Sequence, residues 1–220
     1  MNIRKIDLSH YKRKEHFEHF LTMQDPFTEM TVQVDITDWL RRIKAAEKPF
    51  FLSFLYAVGK AANEIPELRQ RIRDGGIVEY SRCGASYTTA LKDGTYRYCN
   101  IRTDLPFEEY LRLAKEAQAQ AEMSEHLEED ADPESYFFIS CVPWVTYSGL
   151  KLPKPDPLFS VPCITWGRYR AESVPIVKEG ALTEETKILI PVTLTVNHAL
   201  VDGRQMADFY QALADRLAGD

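Results

Sequence analysis

The sequence predicts an α+β domain in which a mixed, largely antiparallel β-sheet packs against α-helices. Strand-like runs outnumber helix-like ones, and few neighbouring runs are separated by the helix that a parallel crossover needs. The 220 residues are enough to bury a substantial core, and no internal repeat, low-complexity linker or compositional break divides them. We therefore expect one domain that spans residues 1–220.

The composition argues against several classes of protein. With 45% hydrophobic and 27% charged residues the chain is typical of a globular protein, and its formal net charge is -6. This acidic balance and the lack of a basic patch argue against nucleic acid or an anionic membrane as a partner. The charged amino end lacks the apolar core of a secretory signal, and no apolar run approaches bilayer length. Four cysteines without C-x-x-C spacing indicate reduced thiols, so we expect a soluble, cytoplasmic protein.

The first strand and the first helix are predicted next to each other in MTVQVDITDWLRRI. Val32, Val34 and Ile36 alternate as in a strand, and the pattern changes to that of a helix near Thr37. A buried helix follows in PFFLSFLYAVGKAANEIPELRQRI, with Pro49 close to its start and apolar residues at three- and four-residue steps. These apolar residues are Phe51, Leu55, Val58 and Ala62.

The middle of the chain predicts three strands and a second long helix. GGIVEYSRCGASYTTALKDGTYRYCNIR contains three short strand-like runs, and KDGT joins the last two of them as a hairpin turn. PFEEYLRLAKEAQAQAEM is rich in strong helix formers and carries its apolar residues on one stripe. The acidic SEHLEEDADPES that follows is typical of a solvated surface loop.

The last third of the chain predicts three strands and a closing helix. YFFISCVPWVTY is an apolar strand candidate, and CITWGRYRAESVPIV and KILIPVTLTVNH predict two further strands. The proline-rich KLPKPDPLFSVP connects the first of these strands to the second. The closing helix presents four apolar residues on its inner face: Met206, Phe209, Leu213 and Leu217.

His198 is the main candidate for chemistry because it ends an otherwise apolar strand. Side chains two residues apart share a face of a strand, so His198 continues the row of Leu194 and Val196 and is expected to be buried. A buried neutral imidazole needs hydrogen-bond partners, and once held it can serve as a base near neutral pH.

Two other interpretations of His198 stay open on the residues alone. It can be a core histidine whose ring is satisfied by backbone groups. It can also bind a metal with Asp202, although strand-to-helix geometry does not bring that pair together reliably and no further ligand has suitable spacing nearby. His16 and His19 have the helical spacing of a ligand pair but lack a third ligand. We therefore expect no metal.

Five segments in order along the chain resemble one enzyme family. N-H-A-L-V-D-G followed by a helix resembles the H-H-x-x-x-D-G signature of chloramphenicol acetyltransferases and of the acyltransferase domains of 2-oxoacid dehydrogenase complexes. YKRKEHFEHF and TVQVDIT are similar to the amino-terminal segments of chloramphenicol acetyltransferases, FFISCVPWVTY to their S-x-x-P-W-V stretch, and ITWGRY to their T-x-G-K-Y stretch. The five matches cover nearly the whole chain and imply the CoA-dependent acyltransferase fold.

The resemblance implies a role for each matching residue in acetyl transfer from acetyl-CoA. His198 occupies the position of the general base, and the first histidine of the family pair is Asn197 here. Asp202 matches a structural aspartate that pairs with an arginine, here Arg13, and a plain helix cap at Asp202 is compatible with that pair.

The resemblance also implies residues that stabilise the oxyanion and bind the coenzyme. Ser140 matches the serine that stabilises the tetrahedral oxyanion, and Thr165 matches a threonine that helps through a bound water. Trp144, Arg168 and Tyr169 match residues near the pantetheine tunnel and the adenine nucleotide, with Arg168 supplying positive charge for the CoA phosphates. Acetyl-CoA is then a co-substrate, with no permanently bound cofactor. Family members are homotrimers with active sites between subunits.

The acceptor pocket is where the sequence departs from the family pattern. TALKDGTYRYCNI stands in place of an H-x-x-x-E-T-F-S stretch, and the acidic HLEEDADPES replaces an F-P-x-G-like segment. Phe20 and Phe27 are candidates to line an aryl-accepting pocket, and Cys163 replaces a branched apolar residue near its wall.

Three hypotheses for function follow. The leading one is a chloramphenicol O-acetyltransferase, which implies a role in antibiotic resistance. The second is a CoA-dependent acyltransferase with a different small hydroxyl or amine acceptor. The third is a CoA-binding protein that has lost catalysis, and the joint presence of His198, Arg13, Ser140 and Thr165 argues against it.

Overall fold

The structure is a computed structural model that describes residues 2–124, 126–127, 130–178 and 180–219. Ten β-strands and five α-helices are assigned within these ranges. In chain order they are β1 (Ile3–Lys5), α1 (Lys14–Phe20), β2 (Phe27–Asp35), α2 (Thr37–Ala45), α3 (Phe50–Glu64), β3 (Gln70–Arg73), β4 (Gly76–Tyr80), β5 (Gly84–Ala90), β6 (Tyr96–Ile101), α4 (Phe107–Met123), β7 (Tyr136–Val142), β8 (Cys163–Gly167), β9 (Arg170–Lys178), β10 (Ala181–Asn197) and α5 (Gly203–Gly219). Short 3-10 helices lie at Pro66–Arg69 and Pro133–Ser135.

A mixed seven-stranded sheet organises the molecule. Its order is β2-β10-β8-β7-β5-β6, and β9 pairs with the first half of β10. Strand β7 runs parallel to both of its neighbours, and the other neighbouring strands pair antiparallel. The predicted α+β class with a mixed, largely antiparallel sheet is confirmed.

Strand β10 is the central element of this sheet. Its first half pairs with β9, and its second half pairs with β2 on one side and β8 on the other. All residues from 190 to 197 are buried, because helices cover one face of the strand and the connection between β7 and β8 covers the other. On the inner face of α5, the four predicted core residues Met206, Phe209, Leu213 and Leu217 are buried. No helix among the described residues is long and apolar enough to cross a bilayer.

A second, three-stranded sheet has the order β1-β4-β3 and is joined to the start of β7 by Arg71. The guanidinium of Arg71 is fully buried and donates to the backbone carbonyls of Leu68, Gln70, Glu134 and Tyr136. A buried charge is tolerated when its donors are satisfied in this way. Arg71 therefore fixes where β7 begins.

Several predicted elements have different limits in the structure. The strand predicted for YFFISCVPWVTY ends at Val142, and the strand predicted for KILIPVTLTVNH begins earlier, at Ala181. The buried helix ends at Glu64 instead of continuing to residue 72, because Pro66 lacks the N–H that the next helical turn needs and forces Ile65 into extended backbone. The predicted strand CITWGRYRAESVPIV is two strands, β8 and β9, interrupted at Arg168 and Tyr169. The predicted hairpin of β5 and β6 is present, and its turn contains Gly94 with φ of 85°.

The acidic segment SEHLEEDADPES is not the purely solvated loop that its composition predicts. Glu125, Glu128 and Glu129 lie outside the described residues. Among the others, Asp132 accepts from the Tyr80 hydroxyl at 3.0 Å and Glu134 pairs with Arg73. Partners distant in sequence therefore hold part of this segment against β3 and β4.

Tyr210 offers a test of how α5 is attached to the sheet. Its hydroxyl lies between β2 and β10, accepting from the Leu194 N–H at 3.0 Å and donating to the Met30 carbonyl at 2.6 Å. Tyr210→Phe leaves these buried backbone groups without a partner, so we expect a loss of about 1–3 kcal/mol in the free energy of unfolding, measured by urea denaturation. The control Tyr96→Phe, in an exposed side chain, should change it by less than about 0.5 kcal/mol. Equal stabilities would contradict this role of Tyr210.

Candidate active site

His198 lies one residue beyond the end of β10, in the turn that leads to α5. Its backbone N–H donates to the Pro26 carbonyl at 2.7 Å, which ties the turn to the start of β2. The side chain is 33% exposed. The expectation that His198 continues the buried row is therefore wrong, because the strand ends at Asn197 and the chain turns before the imidazole is enclosed.

Three groups fix the orientation of the imidazole. The ring of Phe20 stacks on it with centroids 4.0 Å apart and an interplanar angle of 16°. The Nδ1 atom lies 3.1 Å from the Val201 carbonyl oxygen and 3.1 Å from Asp202 Oδ1. Both neighbours of Nδ1 are hydrogen-bond acceptors, so Nδ1 carries the proton and Nε2 of the neutral ring keeps its lone pair.

Asp202 joins His198 to Arg13, which is 189 positions away in the sequence. The Arg13 guanidinium contacts both carboxylate oxygens, with Nη2 at 2.9 Å from Oδ1, and it also reaches the His198 carbonyl at 3.4 Å. The structure thus pairs Asp202 with the arginine that the resemblance implies. It also brings Asp202 to His198, a contact that strand-to-helix geometry alone did not predict.

Asp202 also stands at the start of α5. Its carbonyl accepts the Met206 N–H at 3.1 Å, and the Gln205 side chain accepts the Asp202 N–H at 2.9 Å, as in half of a capping box. The Asp202 carboxylate turns instead towards Arg13 and His198. No three His, Cys, Asp or Glu side chains in the described part of the chain are grouped closely enough to hold a metal ion.

Helix α1, which the periodicity did not predict, positions two of these contacts. Arg13 precedes its first residue and Phe20 is its last, so one short helix lies along the turn that contains His198. Phe17, between them, is buried and anchors the helix in the core.

Asn197 is a structural residue that the sequence pattern underrated. Its side chain is almost fully buried, on the face of β10 opposite to His198. The amide nitrogen donates to the carbonyls of Pro157 at 2.9 Å and Phe159 at 3.1 Å, and the amide oxygen accepts the Ala199 N–H. The sequence could have indicated this role, because an isolated amide side chain in an otherwise apolar strand must have hydrogen-bond partners when it is buried.

Ser140 and Thr165 form a row of hydroxyl residues across the sheet. They are register partners in β7 and β8, and the row continues through Thr193 in β10 to Thr31 in β2. The Thr193 and Thr31 hydroxyls are 2.7 Å apart. Tyr147 covers the row, and its hydroxyl donates to the Thr165 carbonyl at 2.9 Å.

One chain does not bring His198 to Ser140 and Thr165. His198 follows Thr193 by five positions along β10, which corresponds to about 16 Å at roughly 3.3 Å per residue. The loop that Asn197 holds lies on the Ser140 side, where the ring of Phe159 contacts Phe138 with centroids 5.9 Å apart. The turn that contains His198 and the hydroxyl row of Ser140 and Thr165 are therefore separate features of one chain.

Trp144, Arg168 and Tyr169 all line one groove of about 510 Å³. The groove opens between the start of α3, where Tyr169 contacts Phe50, and the exposed indole of Trp144. Cys141 and Trp166, the neighbours of Ser140 and Thr165, form its inner end. Apolar walls with one cation suit a long, partly apolar ligand that carries phosphate.

The three residues expected in an acceptor pocket contact different groups. Phe20 stacks on His198, and the ring of Phe27 lies 5.9 Å from the ammonium of Lys154. Cys163 is buried in β8, in register with Phe138 of β7.

Comparison with known proteins assigns the chain to a family. The family model described as chloramphenicol acetyltransferase matches residues 1–214. The chain belongs to the chloramphenicol acetyltransferase family. Its enzymatic class is therefore that of an acyltransferase.

Individual members of the chloramphenicol acetyltransferase family are similar over most of their length. A chloramphenicol acetyltransferase of Vibrio anguillarum is 30% identical, with 98% of this chain and 94% of the relative covered. One of Escherichia coli is 28% identical, with 90% and 86% covered. A solved chloramphenicol acetyltransferase structure superimposes with a TM-score of 0.79 at 26% identity, covering 98% of this chain and 100% of that chain.

Replacing Arg13 tests the ion pair behind His198. Arg13→Ala leaves the Asp202 carboxylate without its cation, so we expect a loss of about 2 kcal/mol in unfolding free energy and a lower melting temperature. Lys14→Ala, which removes an exposed neighbouring cation, is the matched control and should have little effect. If both variants have the same melting temperature as the wild type, the ion pair does not stabilise this turn.

Burial raises the pKa of all four cysteine thiols, and that of Cys141, beside Ser140, to about 11. The reactive thiolate is therefore scarce below that pH and grows as the pH rises towards 11. With a disulfide reagent at about pH 7.5, we expect four thiols to react quickly in denaturant but slowly in the native protein. The native rate should rise with pH. A rapidly reacting native thiol at neutral pH would contradict this.

Proposed function

We propose that the protein transfers the acetyl group of acetyl-CoA to a hydroxyl of chloramphenicol, with His198 as general base. The observation that carries this proposal is the position of Nδ1 between the Val201 carbonyl and the Asp202 carboxylate. Because both groups require the proton on Nδ1, Nε2 is held ready to accept a proton from a hydroxyl.

The reaction is a direct attack. As Nε2 takes the hydroxyl proton, the acceptor oxygen forms a bond to the thioester carbonyl carbon, and the carbonyl oxygen becomes an oxyanion. Ser140 donates to this oxyanion, and Thr165 assists through a water. Collapse of the intermediate breaks the carbon–sulfur bond, and the imidazolium returns its proton to the CoA thiolate.

The Asp202 carboxylate supports the charged form of the base during this step. Its Oδ1 faces the Nδ1–H, so it stabilises the imidazolium, while Arg13 balances its charge in the resting enzyme. The stacked ring of Phe20 keeps Nε2 aimed in one direction. Asp202 and Arg13 are positioning residues here, because neither touches the substrates.

We propose that the working enzyme is a homotrimer whose sites lie between subunits. Within one chain, His198 is too far from Ser140 and Thr165 to share one acetyl group with them. A second copy whose His198 faces the hydroxyl row completes the site. This arrangement agrees with the one-third exposed imidazole just beyond the end of β10.

The groove lined by Trp144, Arg168 and Tyr169 is the proposed path of acetyl-CoA. Cys141 and Trp166 line it one residue away from Ser140 and Thr165 along β7 and β8, on the opposite face of the sheet, and Arg168 supplies positive charge for the phosphates. Such a reaction in the cytoplasm would modify the antibiotic and confer resistance. A different hydroxyl or amine acceptor is the second candidate, favoured by the acidic wall of a cavity beside Ser140.

His198→Ala tests the general base. We expect release of CoA thiol from acetyl-CoA and chloramphenicol to fall by about 100- to 10,000-fold, because no other group takes the hydroxyl proton. Binding of CoA, measured by calorimetry, should be unchanged.

The matched control is His16→Ala, which removes an exposed histidine of α1 and should keep full activity. If His198→Ala keeps more than about a tenth of the wild-type rate, another group is the base.

A further inference from the structure

A cavity of about 200 Å³ lies against the face of β5, β6 and β7 that the helices do not cover. Ser86 of β5 is in register with Asn100 of β6 and Phe138 of β7, and all three line the cavity. Tyr98 and Tyr136 add aromatic walls, and Asp130 of the acidic segment closes one side.

The cavity adjoins the proposed reaction centre. Tyr136, Phe138 and Ser140 alternate along β7 and therefore share one face of the sheet. Phe138 lies in the cavity wall, and Ser140 is the next residue on that face, about 7 Å further along. A small molecule in the cavity can thus extend a reacting group towards the oxyanion position.

Asp130 and Asn100 supply acceptor groups to the cavity, beside the hydroxyls of Ser86, Thr88 and Tyr98. The Asp130 carboxylate accepts from the Asp132 N–H at 3.0 Å and from the Tyr136 hydroxyl at 2.8 Å, and these bonds, with the nearby amide of Asn100, lower the pKa of Asp130, so it is ionised at neutral pH. The Oδ1 atom of Asn100 is shielded from solvent and has no hydrogen-bond partner. The Tyr136 hydroxyl donates its only proton to Asp130, so it can only accept a hydrogen bond from a ligand.

The charge of the cavity is one-sided. No lysine or arginine is among the residues that the structure places along its wall, and the basic side chains of Arg97 and His126 lie with Asp130 along an adjoining groove instead. Aromatic rings such as Phe138 and Tyr98 attract a cation through their faces and an aryl group through stacking. The cavity therefore suits a ligand that has N–H donors and an apolar ring. The donors can bond to the carboxylate and to the unpartnered amide oxygen, and the ring can pack against the aromatic walls.

We propose that this cavity binds the acyl acceptor and selects aryl amino-alcohols, with the ammonium group at Asp130 and Asn100. This inference rests on the proposed acetyl transfer and names its acceptor class. The amine is held as a cation while a neighbouring hydroxyl extends past Phe138 to the acetyl group. The acidic segment that replaces the family's usual sequence is then the source of a changed selectivity.

The test compares chloramphenicol with the amino-diol that remains when its dichloroacetyl group is removed. The two share the nitrophenyl ring and both hydroxyls, but only the amino-diol is a cation at neutral pH. We expect Asp130→Asn to lower kcat/KM for the amino-diol by about five- to tenfold and to leave that for chloramphenicol within about twofold. Release of CoA thiol measures both rates.

Asp7→Asn is the matched control, because Asp7 makes the same carboxylate-to-backbone turn two residues on and lies outside the cavity. It should change neither rate. If Asp130→Asn alters both acceptors equally, or neither, the proposed selectivity is wrong.

Calorimetry without acetyl-CoA separates this inference from the proposed reaction. We expect the wild type to bind the amino-diol about five- to tenfold more tightly than Asp130→Asn does. If neither acceptor releases thiol, acetyl transfer to these acceptors is wrong, and this binding difference alone decides whether the cavity selects the cation. Equal dissociation constants would overturn the inference even if both acceptors are acetylated.

Discussion

One carboxylate determines the geometry at the end of β10. Asp202 accepts from the guanidinium of Arg13 and faces the ring of His198, so it joins a strand end, a helix start and an amino-terminal helix. A carboxylate near an apolar core is costly without a cation, and Arg13 supplies one from the other end of the chain. The turn can close only when these distant segments have met, which makes the imidazole's orientation a property of the whole fold.

Strand β10 relates the two halves of the proposed chemistry. Thr193 lies in the hydroxyl row with Thr165 and Ser140, and His198 follows on the same strand. A strand flanked by two neighbours and buried on both faces is stiff, so the distance from base to oxyanion position is fixed. Because that distance is too long for one acetyl group, the proposed chemistry requires a second chain.

The sequence was sufficient for the features that depend on local pattern. Alternation and helical periodicity predicted β2, α3, α4 and α5, and the N-H-A-L-V-D-G stretch led to His198. The features that it did not reveal depend on partners distant in the chain. The side chains of Arg71 and Asn197 donate to backbone carbonyls of residues distant in the sequence, and Asp130 is held by the hydroxyl of Tyr136. Helix α1 is amphipathic only over two turns. The hydrophobic periodicity of a segment cannot predict contacts of this kind, because their partners lie elsewhere in the sequence.

The cavity beside Ser140 uses β5, β6, β7 and the acidic segment, whereas the His198 turn uses α1, β10 and α5. The two sets share no residue. Substitutions in the acidic segment can accordingly alter the proposed acceptor cavity without disturbing the orientation of the His198 ring. Mutations in this segment can therefore accumulate during evolution and change the proposed acceptor while α1, β10 and α5 keep the arrangement around His198.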